Sequence, residues 1–275
     1  MDDESSQRMR MAAFVVFGIA VIAALGWYFY DPASDDAPES RPAAAEPIAE
    51  TREEGPQFPL PEAPDARQRP DNVTPLPPLD DSDRYFELEL ANLLGSGIAE
   101  LLVDRSLIEN FVATIDNLPR DTVAERIRPV GRLADPFLVD GQDDSGVYTV
   151  NPASYDRYDL FVAMLSRANR DDVMDVYRRF YPLFQQAYEN LGYPDGYFND
   201  RLVEVIDHLL ATPEVEPPVR LVRPHVLYEY EDPALESLSA GQKLLIRMGP
   251  DHAVAVKQFL EDMRDRITSA APPAR

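Results

Sequence analysis

Four acidic side chains lie in and just after an aromatic turn in the middle of the chain: Asp195, Asp200, Glu204 and Asp207. Two carboxylates that flank a glycosidic bond can hydrolyse it, one as general acid and the other as nucleophile or base. The spacing is therefore compatible with a hydrolase that acts on cell-wall glycan. Acidic residues are abundant, however, with 49 Asp and Glu against 26 Lys and Arg. Helix capping and solubility explain these four better, because the helix dipole favours acids near a helix start.

A metal site is the second chemistry to weigh, because Glu204 and His208 lie one helical turn apart. Zinc needs three or four converging ligands. The chain has three histidines and no cysteine, and it contains neither the His-Glu-x-x-His nor the His-x-x-Glu-His spacing. We therefore expect an i,i+4 side-chain pair on a solvated helix face, and we predict no metal and no cofactor.

Two tyrosines, Tyr193 and Tyr197, flank the Pro-Asp-Gly turn, and turns lie at the surface. The predicted recognition site comprises Tyr193, Asp195, Tyr197, Asp200 and Glu204, and a small ligand is one candidate occupant. The other aromatic residues nearby recur at helical spacing, which is typical of a core. They are Tyr177, Phe180, Tyr181, Phe184, Tyr188 and Phe198.

The commonest catalytic signatures are missing from the chain. It has no Gly-x-Ser-x-Gly, no phosphate-binding loop, no Gly-x-Gly-x-x-Gly and no Ser-x-x-Lys. Several absences together favour a protein that is not an enzyme, and we predict no catalytic residue. The net charge of −23 excludes nucleic acid as a partner, because binding it needs clustered cations. Without cysteine, disulfides and thiolate chemistry are excluded as well.

A pair of antiparallel helices must position these residues. Apolar side chains recur every three or four residues over 173–191 and again over 202–210. Gly192 can end the first helix in a left-handed conformation. We expect Asn199 or Asp200 to cap the second helix, and Pro182 to kink or restart the first.

The same periodicity predicts helices over 83–94, 106–117, 153–167, 243–248 and 254–267. Asp83 is expected to cap the first of these, and the Ser-x-x-Gln sequence at Ser239 forms a capping box for the fourth. Residues 135–139 and 146–150 have strand patterns, and 219–230 is predicted to be extended, with strand pairing left open. The fold class is therefore mostly α: one helical domain over 81–269 with a few short strands, ending in a frayed tail at 270–275.

Residues 12–30 form an uncharged run of nineteen residues. A helix of this length spans about 30 Å, enough to cross a bilayer, and Trp27, Tyr28 and Tyr30 fall at the interface end. A cleavable signal peptide is the alternative, but its apolar region is shorter and a small-x-small site follows it. Arg8 and Arg10 precede the run, so the positive-inside rule places residues 1–11 in the cytoplasm. We predict a single-pass inner-membrane protein with its C-terminal domain in the periplasm.

Residues 31–80 contain twelve prolines and many acidic residues, with Phe58 as the single aromatic residue. Such a segment cannot bury enough apolar area to offset the entropy of ordering it, so we predict a disordered linker. Its extended reach is at most about 150 Å. A passive spacer is the simpler interpretation. The alternative is a docking role for Phe-Pro-Leu-Pro or Pro-Leu-Pro-Pro-Leu, which resemble ligands of aromatic grooves.

Long stretches of the chain resemble a known bacterial family. They are VATIDNLPR at 112–120, RRFYPLFQQAYENLGYPDGYFNDRLVEVIDHLLATPE at 178–214 and LVRPHVLYEYEDPALESLSAGQKLLIRMGP at 221–250. These stretches are similar to the family catalogued as domain of unknown function 3014, and the similarity extends over most of 84–268. The resemblance implies a membrane segment, a linker and one C-terminal domain, and it implies no activity or catalytic residue.

The sequence thus favours a membrane-anchored interaction or scaffold protein without catalysis. Its expected partners are the lipid bilayer, through residues 12–30, and an unidentified envelope protein or cell-wall component. Two alternatives stay open. One is a cell-wall hydrolase that uses acids between Asp195 and Asp207, and the other is a module that binds a small ligand.

Overall fold

The structure of the protein is a computed structural model that describes residues 55–60, 75–103, 105–131, 136–141, 146–225 and 227–269. The predicted membrane segment 12–30, most of the linker and the tail at 270–275 lie outside these ranges. Among the described residues, no helix combines the length and the apolar character needed to cross a membrane.

The described residues are mostly helical, as predicted, with one small sheet. The helices are α1 Asp83–Leu94, α2 Leu107–Asn117, α3 Asp159–Arg167, α4 Arg170–Asn190, α5 Phe198–Leu210, α6 Pro233–Glu236, α7 Ala240–Arg247 and α8 Pro250–Ser269. The strands are β1 Val139–Gly141, β2 Val147–Val150, β3 Arg220–Val222 and β4 Glu229–Tyr230. Short 3-10 turns connect several of these elements.

The helix pair α4–α5 supplies the centre of the core, which confirms the prediction from periodicity. Phe184 of α4 stacks against Phe111 of α2 at 5.6 Å between ring centroids and against Tyr177 at 5.9 Å. Phe86 of α1 joins the same cluster, with its ring 5.1 Å from that of Phe180. Helix α4 runs unbroken through Pro182, so the chain does not restart there. Gly192 has a φ of +109° just after the helix ends, as expected.

The other helices pack around this pair. Helix α8 lies against α5 and α3, and α2 lies against α4. Helix α7 approaches α5 closely at Gly241, where a Cβ atom would stand 2.6 Å from Leu209 Cδ2. The amide of Gly241 donates to the carbonyl of Leu118 at 3.0 Å, which joins α7 to the end of α2. The capping box predicted at Ser239 and Gln242 is present.

One predicted helix cap and one predicted helix start are wrong. Asp83 does not cap its own helix; its carboxylate instead accepts the amides of Ser106 and Leu107, at 2.6 and 2.7 Å, and so caps α2. The helix predicted from Ala153 begins only at Asp159, after two 3-10 turns. Ser154 explains the delay, because its hydroxyl bonds to the backbone of Leu138 and holds this stretch beside β1.

The strands form one antiparallel sheet in the order β1-β2-β3-β4, which answers the question of pairing that the sequence left open. Tyr148 faces Leu221 in the register, and Leu221 faces Tyr230. These three side chains are buried and pack with Ile246 of α7 in a second, smaller apolar cluster. The sheet therefore covers α7 on one side of the helical body.

Candidate functional site

Gln185 of α4 holds the start of α5 in place. Its Nε2 donates to the carbonyl of Gly196 at 2.7 Å, and its Oε1 accepts the amide of Phe198 at 2.9 Å. One side chain therefore fixes both the turn after α4 and the first residue of α5. Because the first helical amides need partners outside the helix, this contact also satisfies one of them.

Asn199 lies directly after this fixed point, and it does not cap α5 as predicted. The residue before the helix is Tyr197, which makes no side-chain capping bond. Asn199 is only 1% exposed, and its Oδ1 accepts the hydroxyl of Tyr177 at 2.6 Å. With its oxygen occupied, its amide group is left to donate, and it does so to the carbonyl of Phe58 at 2.6 Å.

Asp200 completes the contact with the same stretch of chain. Its Oδ2 accepts the amide of Gln57 at 2.9 Å, and its Oδ1 accepts the amide of Phe58 at 2.8 Å. Two consecutive backbone N–H groups thus converge on one carboxylate. Hydrogen bonds to an ionised acceptor are stronger than those between neutral groups. Asp200 therefore binds residues 57–58 by their backbone, which any residue except proline can supply.

Apolar contacts accompany these hydrogen bonds. Phe58 and Leu60 are half-buried and pack against the helical core. Tyr181 of α4 lies near the same end of α5, and burial raises its pKa to about 12, with the charge of Asp200 adding to the increase. Its hydroxyl therefore stays protonated at neutral pH and donates to Gln185 Oε1 at 3.2 Å.

We refer to Tyr177, Tyr181, Asn199 and Asp200 as the α4–α5 cleft and to residues 55–60 as the docked segment. The docked segment reads Gly-Pro-Gln-Phe-Pro-Leu. It lies within 31–80, the stretch whose composition predicts a disordered linker, and it contains most of the Phe-Pro-Leu-Pro sequence for which docking is the alternative. Closer to the domain, Leu79 is 4% exposed and joins the helical core. The structure thus places parts of the linker against the folded domain of the same chain.

Two of the predicted site residues belong to a separate polar network around Asp116. This carboxylate is 3% exposed and pairs with Arg120 at 2.8 Å and with Arg201 at 2.9 Å. The hydroxyl of Tyr193 lies 3.4 Å from Asp116 Oδ2, and its ring stacks on Tyr188. Glu204 pairs with Arg201 at 2.9 Å. This network joins α2 to α5 and to the turn before it.

The remaining predicted residues differ in their surroundings. Asp195 and Tyr197 are exposed on the turn, and Asp200 binds the docked segment. Asp207 forms an ion pair with Arg264. Asp200, Glu204 and Asp207 therefore each have a different partner, and the structure does not arrange them as a carboxylate pair.

The charge of Glu204 acts on His208, as their spacing predicts, but the two side chains have different direct partners. His208 Nε2 lies 2.8 Å from Oγ of Ser239, the residue that caps α7, so the ring joins α5 to the start of α7. Burial lowers the pKa of His208, and the nearby charge of Arg201 lowers it further. Within the described part of the chain, no three His, Cys, Asp or Glu side chains converge as metal ligands.

The sequence did not indicate that Asn199 belongs to the cleft or that Gln185 supports it. One signal for the docked segment was present, namely an aromatic residue between two prolines in an otherwise polar linker. Its binding site could not be read from the sequence, because Phe58 and Asp200 are 142 positions apart.

The chain matches a protein family over a range that includes the residues of the cleft. No curated protein and no solved structure matches the chain. Residues 107–264 match a protein family, and this range runs from the start of α2 into α8 and includes Asn199 and Asp200. The docked segment and α1 precede the matched range. Since the match extends over more than half of the chain, the protein belongs to the family described as "Protein of unknown function (DUF3014)".

Proposed function

We propose that this protein is a membrane-tethered interaction module whose α4–α5 cleft binds an extended peptide. The observation that carries the proposal is the pair of consecutive amides, from Gln57 and Phe58, held by the Asp200 carboxylate while Asn199 donates to the carbonyl of Phe58. All three hydrogen bonds go to the peptide backbone. A site that reads the backbone in this way, with pockets for alternate side chains, is a common form of peptide recognition.

The same contacts favour binding over hydrolysis. A glycosidase needs two carboxyl groups that face one scissile bond across a gap of about 5 to 10 Å. Asp200 instead holds backbone amides, Glu204 is paired with Arg201 and Asp207 with Arg264. The geometry also differs from that of a small-molecule site, since the occupant of the cleft is a segment of polypeptide.

The location of the module is part of the proposal. Its support is the uncharged run at 12–30, the preceding arginines Arg8 and Arg10, and the proline-rich stretch that follows. With this topology the domain over 81–269 lies in the periplasm, on a tether that begins at the inner membrane. Protease added to spheroplasts is then expected to digest the domain before lysis. Protection of the domain until the cells are lysed would refute the topology.

Site-specific photo-crosslinking in intact cells tests the interaction itself. The exposed Tyr197, beside the cleft, is replaced by a photoreactive phenylalanine, and the exposed Leu138, beside β1, carries the same probe as a control. A discrete adduct is expected at position 197 and not at 138, and Asp200→Asn should abolish it. Identical adducts at both positions, or an adduct that survives Asp200→Asn, would contradict peptide binding in the cleft.

A further inference from the structure

We infer that the cleft selects a short uncharged segment of another protein in which an aromatic residue precedes proline, and that the docked segment competes with this ligand from within the chain. The inference rests on the proposed function and specifies its ligand class and its regulation. Its basis is the chemistry of residues 55–60, which show what the cleft accepts.

The backbone contacts define where proline is allowed. Gln57 and Phe58 each donate an amide to Asp200, so neither position tolerates proline, which has no N–H. Pro56 and Pro59 stand immediately outside these two positions. Pro59 also restricts Phe58 to extended conformations, which lowers the entropy lost on binding. The ligand pattern is therefore proline, two amide donors, proline.

The side chains divide into selective and tolerant positions. Phe58 and Leu60 are half-buried against the helical core, whereas Gly55 and Gln57 are exposed. We therefore expect an aromatic residue to be required at the position of Phe58, an apolar residue to be preferred at that of Leu60, and wide variation among residues that are neither acidic nor proline at that of Gln57.

Charge restricts the class of ligand further. The docked segment carries no charge, although acidic residues are frequent in the surrounding linker and Glu53, Glu54 and Glu62 lie close by in the sequence. Asp200 presents a carboxylate to the segment, so an acidic residue at position 57 would meet a like charge. The cleft thereby excludes the acidic stretches of its own linker and of similar chains.

Because the docked segment occupies the cleft, a partner can bind there only if it displaces this segment. A binding segment that belongs to the same chain as its site has an effective concentration on the order of 1 mM. An external peptide with an intrinsic Kd of about 100 µM would then be weakened about tenfold. A partner must therefore be abundant locally, or present several copies of the segment, to displace residues 55–60.

Peptide binding to the full-length protein in detergent micelles tests the inference. The probe is fluorescein-labelled Gly-Pro-Gln-Phe-Pro-Leu, and the matched control is Gly-Pro-Pro-Phe-Pro-Leu, which lacks one amide donor. Three proteins are compared by fluorescence anisotropy: wild type, Phe58→Ala, and Gln57→Pro, which removes one internal contact at an exposed side chain. We expect both variants to bind the probe about tenfold more tightly than wild type, and the control peptide to bind about tenfold more weakly than the probe.

The possible outcomes distinguish a failure of the inference from a failure of the proposed function. Equal affinity of the variants for the two peptides would overturn the ligand class while leaving peptide binding intact. Equal affinity of wild type and both variants for the probe would overturn the internal competition. No binding of either peptide to either variant, with circular dichroism unchanged, would overturn the proposed function together with the inference.

Discussion

Replacing Asp200 with asparagine should release the docked segment without unfolding the domain. The carboxylate accepts one amide on each oxygen, from Gln57 and from Phe58. Asparagine keeps the shape but has only one acceptor, and its NH2 group would face the second amide. The substitution thus removes one hydrogen bond, weakens the other by removing the charge, and adds an unfavourable contact between two donors.

The magnitude follows from the number and type of these bonds. A hydrogen bond to a charged group contributes about 1.5 to 3 kcal/mol, and the lower end applies to a half-exposed cleft. A loss of about 2 kcal/mol shifts the ratio of docked to undocked segment about thirtyfold. The free energy of global unfolding should fall by only about 1 kcal/mol, because a docked state favoured about tenfold stabilises the folded domain by little more than that.

Hydrogen exchange measured by mass spectrometry reports this change directly. The docked segment has exchangeable amides at Gly55, Gln57, Phe58 and Leu60, whereas its two prolines have none. In Asp200→Asn the amides of Gln57 and Phe58 should exchange about eightfold faster, because the docked state is favoured about tenfold in wild type and is no longer favoured in the variant, whereas those of α4 and α5 keep their protection. Asp195→Asn is the matched control, because it removes the same charge from an exposed position on the neighbouring turn. Unchanged exchange of residues 57–60 in Asp200→Asn would refute the reasoning.

Three further predictions concern the frame that supports the cleft. Asp116→Asn leaves Arg201 without its buried partner and should lower the free energy of unfolding by about 3 kcal/mol in urea titrations, so a loss under 1 kcal/mol would contradict it. Because the pKa of His208 lies below its ordinary 6.5 when folded, wild type should lose more stability than His208→Gln as the pH falls from 7 to 5; parallel losses would argue against this. Gly241→Ala should cost about 1 to 3 kcal/mol by crowding α5, while Gly97→Ala, with open space, should cost far less, and equal melting temperatures would refute the difference.

The helical spacing of apolar residues was enough to predict most of the fold. Phe180 and Phe184 belong to a stripe of apolar residues at helical spacing, and both are buried as that pattern predicts. The sheet was harder to predict, because β2 and β3 lie about 70 residues apart and a pattern of alternating residues does not name its partner.

The candidate site was predicted only in part, and for a physical reason. Asp83 and Asp200 both lie at helix starts, where a cap is the local expectation. Each instead accepts two amides from a segment distant in sequence, from Ser106 and Leu107 in one case and from residues 57–58 in the other. Local propensity identifies a carboxylate that can bind amides, but tertiary contacts decide which amides these are.

The distance between the docked segment and the turn before α5 tests the central claim most directly. The natural chain has no cysteine, so Gln57→Cys and Asp195→Cys, both at exposed positions, provide a unique pair of spin-label sites in the full-length protein. If the α4–α5 cleft holds residues 57–58, pulsed electron spin resonance should give one narrow, short distance that broadens when Asp200→Asn is added. A broad distribution in the protein with Asp200 intact would contradict the account.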